Sequence, residues 1–213
     1  MGVGRTSSYR LGVLGGTFDP VHMGHLIIAE EARCQLSLSE VLFVPTGQPY
    51  MKTQHTISPG HHRLEMVKLA TDSNPYFKVT DMELRRPGPS YTVDTLEALV
   101  REYPSATTIF LILGLDSLGQ FHRWQCPRRI LELCSLVAVQ RPGVGAYNPA
   151  VLERELPGAS QRVVLLQGPS IGVSGTDIRK RVAKGLSIKY WVPDRVDEYI
   201  RQHRLYQGGA DHG

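Results

Sequence analysis

The chain has 213 residues, 41% hydrophobic and 21% charged, with a net charge of +4. This is an ordinary soluble globular balance with length for one sizeable core, and the mild basic excess tolerates anionic partners without specifying them. Cys34, Cys126 and Cys134 are odd in number with no CxxC pair, the opening MGVGRTSSYR has no apolar core, and the longest aliphatic-aromatic run is IFLIL at 109–113; these argue against a disulfide framework, a zinc site, a secretory signal and a membrane span, and fit a reducing, cytoplasmic setting.

In chain order, YRLGVLG (9–15) reads as a strand and MGHLIIAEEARCQL (23–36) as a helix, with Leu26, Ile27, Ala29, Ala32 and Leu36 as its apolar face. VLFVP (41–45) is a second strand. HHRLEMVKLATD (61–72) is helical, with Leu64, Val67 and Ala70 spaced by three. FKVTDME (77–83) reads as a strand, and TVDTLEALVREY (92–103) as a helix. TTIFLILG (107–114) is short, continuous and apolar, which suits a strand buried on both faces, and SLVAVQR (135–141) and VVLLQ (163–167) are of the same type. TDIRKRVAKG closes on Gly185, and DRVDEYIRQH follows Pro193 with Asp194 as the expected N-cap. Strands alternating with helices predict an α/β, doubly wound, mostly parallel sheet with helices on both faces. Residues 1–8 read as a loose leader, 9–206 as one domain closing with helices over 175–206, and 207–213 as a flexible tail.

The first strand runs into GGTFDPVHMGH (15–25). Gly15 and Gly16 permit a turn closed to other residues and let a ligand approach the backbone. The helix that follows points free amides and a positive dipole end outward, which is an anion site. His22 and His25, three apart at the helix start, can reach the same side with ring N–H donors. The segment is neither GxGxxG nor a P-loop. A metal-binding HxxH has no third ligand suitably spaced, and two incidental histidines on a helix start stay open as an alternative.

GGTFDPVHMGH resembles the GGxFDPxHxGH signature of the nucleotidylyltransferases that carry a paired-histidine motif. LRRPGPSYTVDTL (84–96), PTGQPYMK (45–52), LGLDSL (113–118) with Trp124, VSGTDIRKR (173–181) and the tail at 190–206 are similar to segments of bacterial nicotinate-mononucleotide adenylyltransferases, so the resemblance spans nearly the whole chain. It implies a Rossmann-like nucleotidylyltransferase fold and transfer of the adenylyl group of ATP to nicotinate mononucleotide, giving deamido-NAD and pyrophosphate. Mg²⁺ would be carried mainly by the ATP phosphates. His22, His25, Lys52 and Arg179 would be the catalytic groups. Gly15, Gly16, Thr17, Phe18, Gly114, Asp116, Ser174 and Thr176 would bind ATP. Asp19, Tyr91, Thr92, Trp124 and Arg141 would bind the mononucleotide.

Residue chemistry supports several of these roles on its own. Pro89 and Ser90 precede a helix, so the amides of Tyr91 and Thr92 lie near its positive end and could hold a ring carboxylate, although Ser90 as a plain cap would also explain the segment. Asp116, at the end of the most apolar strand, could accept from ribose hydroxyls or cap a helix. In RKR (179–181), Ile178, Val182 and Leu186 form the expected buried stripe, which leaves Arg179 near the helix start and Lys180 and Arg181 facing water. The chain departs from the family pattern at Tyr50 and Met51, where the family has Pro-His, and at Gly175, where it has Ser.

The attacking 5′-phosphate is already an anion, so direct in-line displacement needs no general base, and positioning and electrostatics can carry the reaction. Neither a nucleic acid nor a membrane is an expected partner, and a homodimer is left open. The alternatives are another adenylyl- or cytidylyltransferase of the same scaffold, such as one acting on phosphopantetheine, and a nucleotide-binding regulator without chemistry.

Overall fold

Apolar runs of five or six residues that alternate large side chains to both faces can be buried only inside a sheet covered on two sides, and this is what the chain builds. The structure is a computed structural model that describes residues 9–49, 57–140, 148–169 and 171–207. Lys52, Arg141, the 1–8 leader, the Tyr50–Met51 departure and nearly all of the 207–213 tail lie outside the described residues.

The strands are β1 (Arg10–Gly16), β2 (Glu40–Pro45), β3 (Gln48–Pro49), β4 (Phe77–Val79), β5 (Pro89–Ser90), β6 (Thr108–Leu113), β7 (Ser135–Gln140) and β8 (Val163–Gln167). The helices are α1 (Met23–Leu36), α2 (Gly60–Thr71), α3 (Met82–Arg85), α4 (Thr92–Glu102), α5 (Leu115–Gly119), α6 (Pro127–Leu133), α7 (Pro149–Glu155), α8 (Gly175–Ala183) and α9 (Asp194–Gln202). Six strands pair in the order β4-β2-β1-β6-β7-β8, all parallel. Counting only these six, the order is 3-2-1-4-5-6, the doubly wound Rossmann arrangement. β3 and β5 form a separate two-residue parallel clasp.

Alternation divides the core. Phe43, Phe110, Ile112, Val137 and Val139 face one side, packed by Ala29 and Ala32 of α1, Met66 and Val67 of α2, Ile178 of α8, and Val196 and Ile200 of α9. Leu11, Val13, Leu42, Leu111 and Leu136 face the other, packed by Leu96 and Leu99 of α4, Leu118 of α5, Ile130 of α6 and Leu152 of α7. Ile112 is 1% exposed at the centre, so truncating it to Ala would cost about 2–5 kcal/mol.

Several sequence expectations are corrected. The 77–83 strand is only Phe77–Val79; Thr80 gives the last ladder bond to the Phe43 carbonyl, its hydroxyl accepts from the Met82 amide, and α3 begins there. The N-cap of α9 is Pro193, while Asp194 is its first helical residue and pairs with Lys189 Nζ at 2.6 Å. Leu186 is half exposed instead of buried, because the chain has already left α8 in a left-handed turn at Gly185. Arg181 does not simply face water: it donates to the Ser187 carbonyl and lies over the Trp191 ring. α2 buries Arg63 and Met66 in place of Leu64.

Candidate active site

β1 and β6 are neighbours whose following segments cross to opposite faces of the sheet, α1 to one and α5 to the other. That divergence opens a crevice at the carboxyl ends of the two strands. It holds a cavity of about 610 Å³. One wall comes from the α1 and α8 side, through Gly15, Gly16, Thr17, His22, His25 and Ser174; the other comes from the α4 and α5 side, through Glu83, Thr92, Thr95, Gly114, Asp116 and Trp124.

The glycines act here through space. Nothing lies within 4 Å of where a Gly15 Cβ would stand, so the end of β1 is open to the cavity. The left-handed residue of the turn is Phe18, at φ 50°, not Gly15 or Gly16. The Phe18 ring is buried in the core against Phe43 and does not line the cavity; it meets the His25 ring edge-on at 5.0 Å.

His22 is the N-cap of α1 in extended conformation, and His25 sits in its first turn. Their rings stack with centroids 3.7 Å apart and planes at 24°. The His22 amide donates to His25 Nδ1 at 3.2 Å, so neutral His25 carries its proton on Nε2. Burial, reinforced by the neighbouring His22, holds the His25 pKa well below the ordinary imidazole value. The result is a neutral N–H donor with a fixed tautomer, beside the amides of a helix start.

α8 approaches the same wall with its own N-terminus. Ser174 caps it, accepting from the Asp177 amide at 3.1 Å and donating to the Asp177 carboxylate at 2.7 Å. Thr176 and Arg179 lie behind this rim and do not line the cavity themselves. Arg179 donates to the Asp19 carbonyl at 2.5 Å and to Thr176 Oγ1 at 3.3 Å. At Gly175 a Cβ would stand 3.1 Å from that same carbonyl, so the glycine allows α8 this close to the 15–25 loop. Asp19 is buried and turned from the cavity, its carboxylate taken by the Ser58 amide and the Tyr206 hydroxyl.

On the other wall, Asp116 is exposed in the first turn of α5 and faces the cavity. Thr92 opens α4 and lines the cavity, whereas the Tyr91 side chain packs against the core. Ser90 does not cap α4. The N-cap position is Tyr91, without a side-chain cap bond, and the Ser90 hydroxyl instead accepts from the Gly47 and Gln48 amides. Trp124 is half-buried on the rim, its ring 5.5 Å from that of Phe121.

A cytidylyltransferase-like family model matches residues 13–181. A protein of Dehalococcoides mccartyi strain 195, named as a probable nicotinate-nucleotide adenylyltransferase, is 46% identical over 199 residues, covering 93% of this chain and 98% of its own. One of the same name from Thermomicrobium roseum is 48% identical over 198 residues, covering 93% and 92%. The chain belongs to the nicotinate-nucleotide adenylyltransferase family. Its fold matches that of Plasmodium falciparum nicotinic acid mononucleotide adenylyltransferase complexed with NaAD, at TM-score 0.76 and 18% identity over 93% of this chain and 97% of that one.

Two residues of this nicotinate-nucleotide adenylyltransferase-family chain escape sequence reasoning. Arg63 is 2% exposed, and its guanidinium donates to the Ser58 and Thr17 carbonyls at 2.9 and 2.8 Å, fastening the loop after β1 from below. Glu83 is a buried acid on the cavity wall that accepts from Thr95 Oγ1 at 2.6 Å. An arginine in a helical segment, or a glutamate at the end of a strand-like one, ordinarily reads as solvated, so neither position carries a one-dimensional signal.

Proposed function

We infer that the protein transfers the adenylyl group of ATP to nicotinate mononucleotide, releasing pyrophosphate and forming deamido-NAD. The observation that carries this is the stacked His22–His25 pair at the carboxyl-end crevice, in a chain 46% identical to named nicotinate-nucleotide adenylyltransferases.

A 5′-phosphate oxygen of the mononucleotide attacks the α-phosphorus of ATP, and the bond to the bridging oxygen breaks in line. No proton need be removed from the nucleophile. The cost lies in bringing anions together and in charge building on pyrophosphate, which oriented donors offset. The proposed donors are His22, His25 from Nε2, the α1 and α8 amide ends, Arg179 and Lys52. Gly15, Gly16 and Thr17 give the chain of phosphates room along β1. Asp116 and Gly114 are assigned to the ATP ribose, Ser174 and Thr176 to its phosphates. Phe18 and Asp19 contribute by holding the loop from behind, given their burial.

The mononucleotide is assigned to the opposite wall, its ring against Trp124, its ring carboxylate at the α4 amides beside Tyr91 and Thr92, and its phosphate near Arg141. A helix start favours an anion over a neutral amide, which supports nicotinate over nicotinamide. Mg²⁺ would arrive on the ATP phosphates; among the described residues no group of three or more His, Cys, Asp or Glu could hold a metal ion. No helix among the described residues is long and apolar enough to cross a membrane.

Product analysis with ATP and, in parallel, nicotinate mononucleotide, nicotinamide mononucleotide and phosphopantetheine tests the inference. Deamido-NAD with stoichiometric pyrophosphate should form fastest. Turnover of phosphopantetheine alone, or none with any acceptor, would sink it.

A further inference from the structure

We propose that Glu83 is a positioning residue for the mononucleotide, acting by locking the turn that presents the start of α4. This rests on the adenylyl-transfer reading above.

Glu83 lies on α3 at 7% exposure, on the cavity wall. Its carboxylate accepts from Thr95 Oγ1 at 2.6 Å, and Thr95 lies in the first turn of α4. Thr95 Oγ1 in turn accepts from Arg86 Nη1 at 3.3 Å and gives its own proton to the Glu83 carboxylate. The polarity of this contact is therefore fixed: the group at position 83 must accept.

The Ser90 oxygen accepts from the Gly47 and Gln48 amides at 3.1 and 3.2 Å. The Ser90 hydroxyl thus ties together the two sides of the clasp, where Gln48 pairs with Pro89 and Pro49 with Ser90. Glycine at 47 makes the closeness feasible, since a Cβ there would stand 2.2 Å from the Glu83 carbonyl oxygen and 2.8 Å from Ser90 Oγ. Ser90 is followed directly by Tyr91, the N-cap, and Thr92, the first residue of α4. Fixing Ser90 fixes where those amides sit.

The test is steady-state kinetics of Glu83→Gln. The amide keeps a single acceptor oxygen, so a buried N–H stands where a carboxylate oxygen stood beside Thr95 Oγ1. We expect KM for nicotinate mononucleotide to rise about 10-fold, the scale of one mispaired buried polar contact. KM for ATP and kcat should stay within about 2-fold, and the preference for nicotinate over nicotinamide mononucleotide should shrink. Thr95→Val should act in the same direction, and the double variant should cost no more than the worse single one. An unchanged mononucleotide KM in Glu83→Gln of wild-type melting temperature, equal rises for both substrates, or additive effects would overturn the proposal. Should Glu83→Gln fail to fold, the mononucleotide KM of Thr95→Val decides by the same criteria. A wild-type protein that makes no deamido-NAD would overturn the reaction itself, a result distinct from these.

Discussion

The Tyr206 hydroxyl donates to Asp19 Oδ1 at 2.6 Å, joining positions 187 apart in the chain. Asp19 also receives the Ser58 amide at 3.2 Å on Oδ2 and Arg179 on its carbonyl. Three distant segments therefore converge on one residue of the 15–25 loop. Burial and the nearby Asp19 carboxylate raise the Tyr206 pKa, which keeps the phenol a donor. Tyr206→Phe should lower the unfolding free energy by about 1.5–3 kcal/mol, the worth of a hydrogen bond to a charged group. Urea denaturation of both proteins checks this, and an unchanged midpoint with an unchanged slope would refute it.

Trp124 divides its surface between Phe121 and the cavity. Its assigned partner is a flat pyridine cation, for which stacking is favourable. Trp124→Ala should raise KM for the mononucleotide about 10-fold and leave KM for ATP nearly constant. Equal changes in both constants would show that the ring matters for packing.

His25 gives a pH signature to stability. Its folded pKa is lowered, first by burial and then by His22. Below about pH 6.5 the unfolded chain binds a proton at this imidazole that the folded chain refuses. Its contribution is therefore flat above that pH and increasingly destabilising as the pH falls toward the folded value. Melting temperatures at pH 5.5 and 7.5 should differ more for the wild type than for His25→Asn. Identical pH differences in the two proteins would contradict a buried neutral His25.

Much of this architecture is legible in one dimension because the sheet is buried on both faces. A strand such as β6 can then be nothing but apolar, and the 163–167 strand and the 23–36 helix match the structure residue for residue. Legibility fails where an element is too short for its period to show. The β3–β5 clasp has two residues a side, and α3 is a single turn that continues a strand-like pattern. The Thr80-Asp81 pair before α3 was the available signal, since such residues favour helix starts over strand interiors. At the site, spacing conveyed that His22 and His25 share a side, because position three along a helix start does so by geometry. It conveyed neither the His25 tautomer, set by a backbone amide, nor the burial of Arg63 and Glu83, set by carbonyls and hydroxyls from other segments. The Ser90 cap and the Gly15–Gly16 turn were reasonable from composition, and tertiary contacts gave those residues other work.

In the proposed mechanism the paired imidazoles stabilise charge as pyrophosphate leaves. This is tested most directly by kcat of His22→Ala with saturating ATP and nicotinate mononucleotide. In this variant kcat should fall by about 10²–10³, the scale of losing one transition-state donor. A folded variant turning over at near wild-type rate would contradict it.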